Sequence, residues 1–308
     1  MMTIINTNLL SQNAQRNLGT NAASLGTSIN RLSTGMRVNS AKDDAAGLAI
    51  SERMSAQSRG MEIARRNAND AISLAQTAEG ALGSMNDMLQ RMRELAVQSA
   101  NATNSSTDRT ALSNEFNQLQ QEITRTANTT RFNGNLILTQ TSSFDFQIGS
   151  NATTNDQISV NAINVLNSST TANSDVGALA RVTNSASIDI STVGTRGSAA
   201  GAANFAAYGP TASMGTGAMG AVEVLDYALA QVNTARSTFG AVQNRFDAVI
   251  SNLNVSIENQ AAARSRIVDT DYARETASLA RAQVLQQAGM AMLSQANQVP
   301  NQVLSLLR

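Results

Sequence analysis

Apolar residues fall four and three apart over two long stretches of this chain. In the first they are Ala64, Ala68, Ala71, Ala75, Ala78, Leu82, Met85, Leu89, Met92 and Ala96; in the second, Ala221, Leu225, Ala228, Val232, Ala235, Phe239, Val242, Phe246, Val249 and Leu253. This spacing lays side chains along one line of a helix, and such a line needs a partner helix to cover it. Each run covers 33 residues, roughly 50 Å of helix at ~1.5 Å per residue. The first seam is mostly Ala and Met while the second carries Phe239 and Phe246. Equal length and complementary bulk predict that the chain folds back and packs one run on the other.

Between the runs, SANATNSSTD supplies candidate helix caps at Thr107 and Asp108. A third helix then carries the stripe Leu112, Phe116, Leu119, Ile123 and Ala127, suited to cover a flank of the long pair. FNGNLIL marks a turn into extended chain, and the alternation of Phe144, Phe146 and Ile148, repeated by Ile158 and Val160, predicts a β-hairpin. Residues 167–220 are rich in Ser, Thr, Ala and Gly without periodicity and read as a short surface insertion.

Both ends return to helix. Leu10, Ala14, Leu18, Ala22, Leu25, Ile29 and Leu32 form a stripe at the front. Ala273, Ala277, Ala280, Val284, Ala288 and Ala291 form another at the back, after caps at Thr270 or Asp271. The polar stretches STGMRVNSAKDD and AAARSRIVDTD join these outer helices to the long runs. The expected fold is mainly α: nested long antiparallel helices, a terminal two-helix coiled coil plus a long-helix bundle, with a small β-hairpin region. The expected divisions are 1–42 with 262–308 for the terminal pair, 43–166 with 221–261 for the bundle, and 167–220 for the insertion.

Composition narrows the chemistry. The 308 residues carry Lys+Arg 22 against Asp+Glu 22, and 14% are charged where ~25% is ordinary. A neutral chain of this kind argues against nucleic acid or an anionic membrane as partner. No stretch of about eighteen apolar residues marks a membrane span. With His 0 and Cys 0, imidazole and thiolate metal sites, haem ligation and Ser-His or Cys-His nucleophiles are excluded, and no enzyme activity or cofactor is expected. The first residues lack the basic leader and apolar stretch of a general secretory signal, so export would take another route. The lack of Cys fits a reducing compartment and equally a chain that travels unfolded.

The tips are greasy. Ile4, Ile5, Leu9 and Leu10 at one end, and Val303, Leu304, Leu306 and Leu307 at the other, have little charge to shield them. Burying a Leu or Ile is worth ~1.5 to 3 kcal/mol, and one helix pair cannot cover all eight. Other copies of the chain are the simplest cover. With Leu18, Leu25 and Val284 of the terminal stripes and Leu285 next to Val284, these positions are the candidate self-assembly residues. The carboxylate pairs Asp43 with Asp44 and Asp269 with Asp271 read as caps and turn bonds rather than metal ligands. Gly215, Gly217 and Gly220 lack the context of a phosphate loop, and Met85, Met88 and Met92 read as packing.

At residues 29–54, INRLSTGMRVNSAKDDAAGLAISERM closely resembles the N-terminal signature of bacterial flagellins, and RAQVLQQAGMAMLSQANQVPNQVLSLLR at 281–308 resembles their C-terminal one. The resemblance implies a flagellar filament subunit for swimming motility, exported unfolded by the flagellar type III apparatus and polymerised outside the cell beneath a cap. It also implies hook-associated junction proteins as neighbours, and a secretion chaperone holding about 273–307. Junction proteins share the terminal plan and are the rival reading; a coiled-coil signalling hairpin would leave the sticky tips unexplained. LQRMRELAVQS at 89–99 is similar to the patch seen by the flagellin-sensing Toll-like receptor. Gln90, Arg91, Arg93, Glu94, Leu95 and Gln98 match, and Glu115 falls where that surface would continue.

Overall fold

The structure, a computed structural model, describes residues 8–140, 142–161, 163–165, 182, 190–192 and 217–305, without the side chains of 299–305. The chain forms two compact units, Gly60–Val255 and Met1–Arg59 with Ser256–Arg308. The long helices α2 (Ala45–Ser99) and α4 (Gly217–Val268) contribute to both.

In the unit 60–255, all ten positions of the first seam are at most 1% exposed. From the second seam, Val242 and Val249 are half-buried and the other eight are buried. Arg93 Nε donates to Asp226 Oδ1 at 2.5 Å and Arg65 Nη1 to Asn254 Oδ1 at 3.1 Å. The helices therefore run antiparallel, in the register that brings the start of one seam to the end of the other. Helix α3 (Ser106–Thr129) buries Phe116, Ile123 and Ala127 in the same core, with Leu112 and Leu119 packed against it. Its cap is Ser105, one of the polar run upstream of Thr107. The Ser105 side chain accepts from Asp108 N at 3.2 Å, and the Asp108 carboxylate accepts from Ser105 N at 3.0 Å, a reciprocal capping box.

The sheet content is two hairpins. Strands β1 (Arg131–Phe132) and β2 (Asn135–Leu136) are joined by Asn133 and Gly134 at φ 48° and 83°. Both centres of that turn are left-handed, the backbone that Asn-Gly tolerates best. Strands β3 (Phe144–Gln147) and β4 (Gln157–Val160) pair antiparallel, Phe144 opposite Val160 and Phe146 opposite Ile158, as the alternation predicts. The Phe146 ring meets Phe246 of α4 edge-on, with centroids 5.7 Å apart, which ties this hairpin to the helical core.

One feature departs from the sequence reading and a second lies outside it. Gly217 and Gly220 belong to the first turn of α4, where Ala218 N donates to Thr192 O at 2.8 Å, so the helix starts inside the expected insertion. Gly215 and most of 167–216 lie outside the described residues. Arg109 is buried: its guanidinium donates to the carbonyls of Ser99, Asn101 (2.8 Å) and Asn104 (3.2 Å). A cation thus meets the last carbonyl of α2, at Ser99, and two carbonyls of the turn that follows it.

In the other unit, α1 (Leu9–Thr34) and α5 (Tyr272–Ser305) lie antiparallel. Asn8 Nδ2 donates to Ala296 O at 2.8 Å, Ser11 Oγ to Asn297 Oδ1 at 2.9 Å, and Arg31 lies 3.9 Å from Glu275 at the far end. Gly35, at φ 70°, ends α1 in the left-handed conformation that a Cβ would penalise, and its carbonyl accepts from Thr270 N at 3.0 Å. Arg37 donates through its backbone N to Val268 O and through Nη2 to Ile267 O, both at 2.6 Å. It thereby caps α4. Because α4 runs to Val268, the expected polar interruption shrinks to residues 269–271.

Candidate functional site

The stripe read from the sequence along α5 exists, but it does not face α1. Ala277, Ala280, Val284, Ala288 and Ala291 are all on the open side, with Val284 exposed, while the side towards α1 carries Leu279, Ala282, Gln286, Gly289, Leu293 and Ala296. Helix α1 divides its stripe in the same way. Ala14, Leu18, Leu25 and Leu32 are half-buried beside Ser11, Asn21 and Ser28, whereas Leu10, Ala22 and Ile29 are exposed. Apolar residues surround α5, so periodicity alone has no phase by which to choose the paired side.

Two apolar faces are left open. Val284 is 64% exposed, Leu285 46%, Leu9 60% and Leu10 65%. Of the other candidate assembly residues, Leu18 and Leu25 are half-buried within the chain's own helix pair. Val303 and Leu304 lie in α5 without described side chains, and Ile4, Ile5, Leu306 and Leu307 lie outside the described residues. Helices that place small residues such as Ala277, Ala280, Ala288 and Ala291 along one line can approach a neighbour closely.

A second, charged surface lies on the unit 60–255. Arg91 of α2 donates through Nε to Glu115 Oε1 of α3 at 2.9 Å and through Nη1 to Glu94 Oε2 at 3.0 Å. Arg93 reaches the other way, to Asp226 of α4. The hydrogen bonds from Arg91 to Glu115 and Glu94 hold its guanidinium above the usual arginine range, and Asp226 does the same for Arg93. All five side chains are about half-exposed or more, so solvent screens the pairs and they add little to stability. Gln90 and Gln98 are exposed on the same stretch of α2.

Leu95, grouped with these residues from the sequence, is fully buried and belongs to the core that also contains Phe116. It sits on a second apolar line of α2, Leu74, Ala81, Met88 and Leu95, each one heptad apart. This end of α2 is covered on two sides, which a single-seam reading misses.

Of the paired carboxylates, Asp43, Asp44 and Asp271 make turn and cap bonds. Asp43 accepts from Ser40 Oγ and Ser40 N, both at 2.9 Å, and from Asn39 N at 3.2 Å; these bonds, led by the Ser40 side chain, lower its pKa from the usual 3.8. Asp44 accepts from Gly47 N at 2.8 Å, and Asp271 from Ala273 N at 3.0 Å, each at a helix start. Among the described residues no group of three or more acidic side chains is placed to hold a metal ion, and no helix is long and apolar enough to cross a membrane.

The model of the bacterial flagellin N-terminal helical region matches residues 5–143, and that of the C-terminal helical region matches 222–307. Flagellin of Halalkalibacterium halodurans is 42% identical over 306 residues, covering 99% of this chain and 100% of that protein. Flagellin D of Vibrio cholerae is 38% identical, covering 98% of this chain and 99% of its own. A solved structure from Vibrio parahaemolyticus, described as a putative flagellar hook-associated protein, aligns with a TM-score of 0.52 at 13% identity. It covers 74% of this chain and all of that one, a likeness of fold alone.

Proposed function

The chain belongs to the bacterial flagellin family, and from that premise we propose that it is the structural subunit of a flagellar filament, assembled through the open faces of α1 and α5. One observation carries the mechanism: the apolar stripe of α5 through Val284 lies exposed on the side away from α1. A helix apolar on two opposite sides belongs in an interior, and a single copy supplies cover for only one side. Val284, Leu285, Leu9, Leu10 and Ile29 still expose about half their surface, so burying the rest between copies is worth ~1 to 2 kcal/mol each. Repeated at every subunit, such contacts make a stiff polymer from a chain whose neutral charge offers no long-range repulsion. Identity along the whole length of flagellins favours this over the junction-protein reading, which rests on fold likeness.

The finer reading follows the family. The chain leaves the cell unfolded by the flagellar type III route, which the absence of cysteine permits. Before export, a secretion chaperone holds about 273–307. Outside, the filament cap and the hook-associated junction proteins are its neighbours. The charged surface of Gln90, Arg91, Arg93, Glu94, Gln98 and Glu115 is the patch the host Toll-like receptor recognises on the monomer. It acts without the buried Leu95 as a contact.

Electron microscopy of the purified chain after seeding tests the central reading. Hollow filaments growing from the seeds are the expected result. A chain that stays monodisperse under every salting-out and nucleating condition overturns it.

A further inference from the structure

All the sulfur in this chain is thioether: Met 12 and Cys 0. With no thiol and no Trp, methionine is the group that meets an oxidant first, and access decides which one. Met85 and Met92 are fully buried in the core of the unit 60–255, and Met88 is half-buried. Among the described residues, the most exposed are Met292 at 65% and Met290 at 56%, both on α5 and flanking the line that packs on α1.

We propose that Met290 and Met292 are oxidation sites for peroxide-class oxidants, and that oxidation there opposes assembly. The second half rests on the filament reading. A thioether sulfur attacks one oxygen of hydrogen peroxide; the S–O bond forms as the O–O bond breaks. The sulfur loses two electrons, and the departing hydroxide takes the proton of the transferred OH and leaves as water. The product sulfoxide is polar and chiral where the thioether was apolar and adaptable. On the same helix as Leu285 and Val284, it adds an unpaired acceptor to a surface that must lose its water when copies pack. The buried Met85 and Met92 keep their thioethers, so the core of the unit 60–255 is spared while the outer face of α5 changes character.

The experiment compares the intact monomer before and after hydrogen peroxide, with peptide mass spectrometry and seeded polymerisation read side by side. Met290 and Met292 are expected to gain oxygen ahead of Met85 and Met92. The critical concentration for assembly should rise roughly tenfold, and methionine sulfoxide reductases should restore it. The double variant Met290→Leu with Met292→Leu should assemble untreated and keep assembling after peroxide. Oxidation of Met85 or Met92 first overturns the site, and unchanged assembly of oxidised chain overturns its effect. Equal peroxide sensitivity in the double variant also overturns the effect. If the double variant does not assemble untreated, reversal by the reductases in the unsubstituted chain decides the matter. A chain that never polymerises even untreated removes the filament reading and the assembly half together, while the order of oxidation still tests the sites.

Discussion

Gly289 of α5 faces Leu18 of α1 so closely that a Cβ at Gly289 would stand 2.9 Å from Leu18 Cδ1 and 3.5 Å from its Cγ. Close passage of this kind lets a pair of helices hold together with Ser11, Asn21 and Ser28 in its seam. Because the colliding atom is the free end of a Leu, it can turn aside. Gly289→Ala is therefore expected to be neutral or stabilising by up to about 1 kcal/mol, through helix propensity. Gly289→Ile overfills the gap and should cost about 1–3 kcal/mol. Hydrogen exchange across residues 9–34 distinguishes the two, with protection falling only in the Ile variant.

The buried Arg109 makes a second test. Replacing it with Ala strands the buried Ser99 carbonyl and takes one donor each from Asn101 and Asn104, so Arg109→Ala should lower stability by about 1–3 kcal/mol in denaturant unfolding. Arg109→Lys should recover only part, since an ammonium cannot span three acceptors as a planar fork does. A drop below about 0.5 kcal/mol, the size of an ordinary surface change, would contradict this role.

Acid should loosen the start of α3. Hydrogen bonds from the Ser105 side chain and backbone lower the Asp108 pKa from the usual 3.8. The unfolded chain therefore takes up the proton first. The stabilisation is complete well above pH 3.8 and is lost as pH falls through the lower folded value. Asp43, held down mainly by Ser40, behaves alike. Carboxyl titration by NMR should show Asp108 protonating below 3.8 as residues 105–109 lose amide protection, and Asp108→Asn should remove the Asp108-linked part of that acid step.

On the charged surface, Arg91→Ala frees Glu115 and Glu94. The denaturation midpoint should hardly move, because the pairs are screened by solvent, while Toll-like receptor signalling by the monomer should fall. Full signalling at unchanged stability would remove Arg91 from the recognition surface.

The legible parts of this fold are those where one seam meets one partner. Ala64 to Ala96 and Ala221 to Leu253 give their burial and register directly, as do Phe144, Phe146, Ile158 and Val160 through strict alternation. Reading fails where a helix is covered, or awaits cover, on two sides. Leu95 lies inside because α2 has a second apolar line, and the Val284 stripe lies outside because α5 has apolar residues all round. Arg109 is invisible in the sequence for a different reason. Nothing in its own neighbourhood marks a surface-type residue for burial; that follows from where α2 ends and α3 begins. Ser105 illustrates the narrower ambiguity of a polar run in which several residues could cap.

Val284 is the position at which chain fold and polymer separate, since it is 64% exposed in the subunit and central to the open stripe. Sedimentation of seeded filaments at graded protein concentrations, for the unsubstituted chain and for Val284→Asp, measures that separation directly. Unfolding of the variant should match the unsubstituted chain within about 0.5 kcal/mol. Its critical concentration should rise roughly tenfold or more, equivalent to weakening the attachment of each subunit by at least about 1.4 kcal/mol. Equal critical concentrations for the two chains would contradict assembly through the outer face of α5.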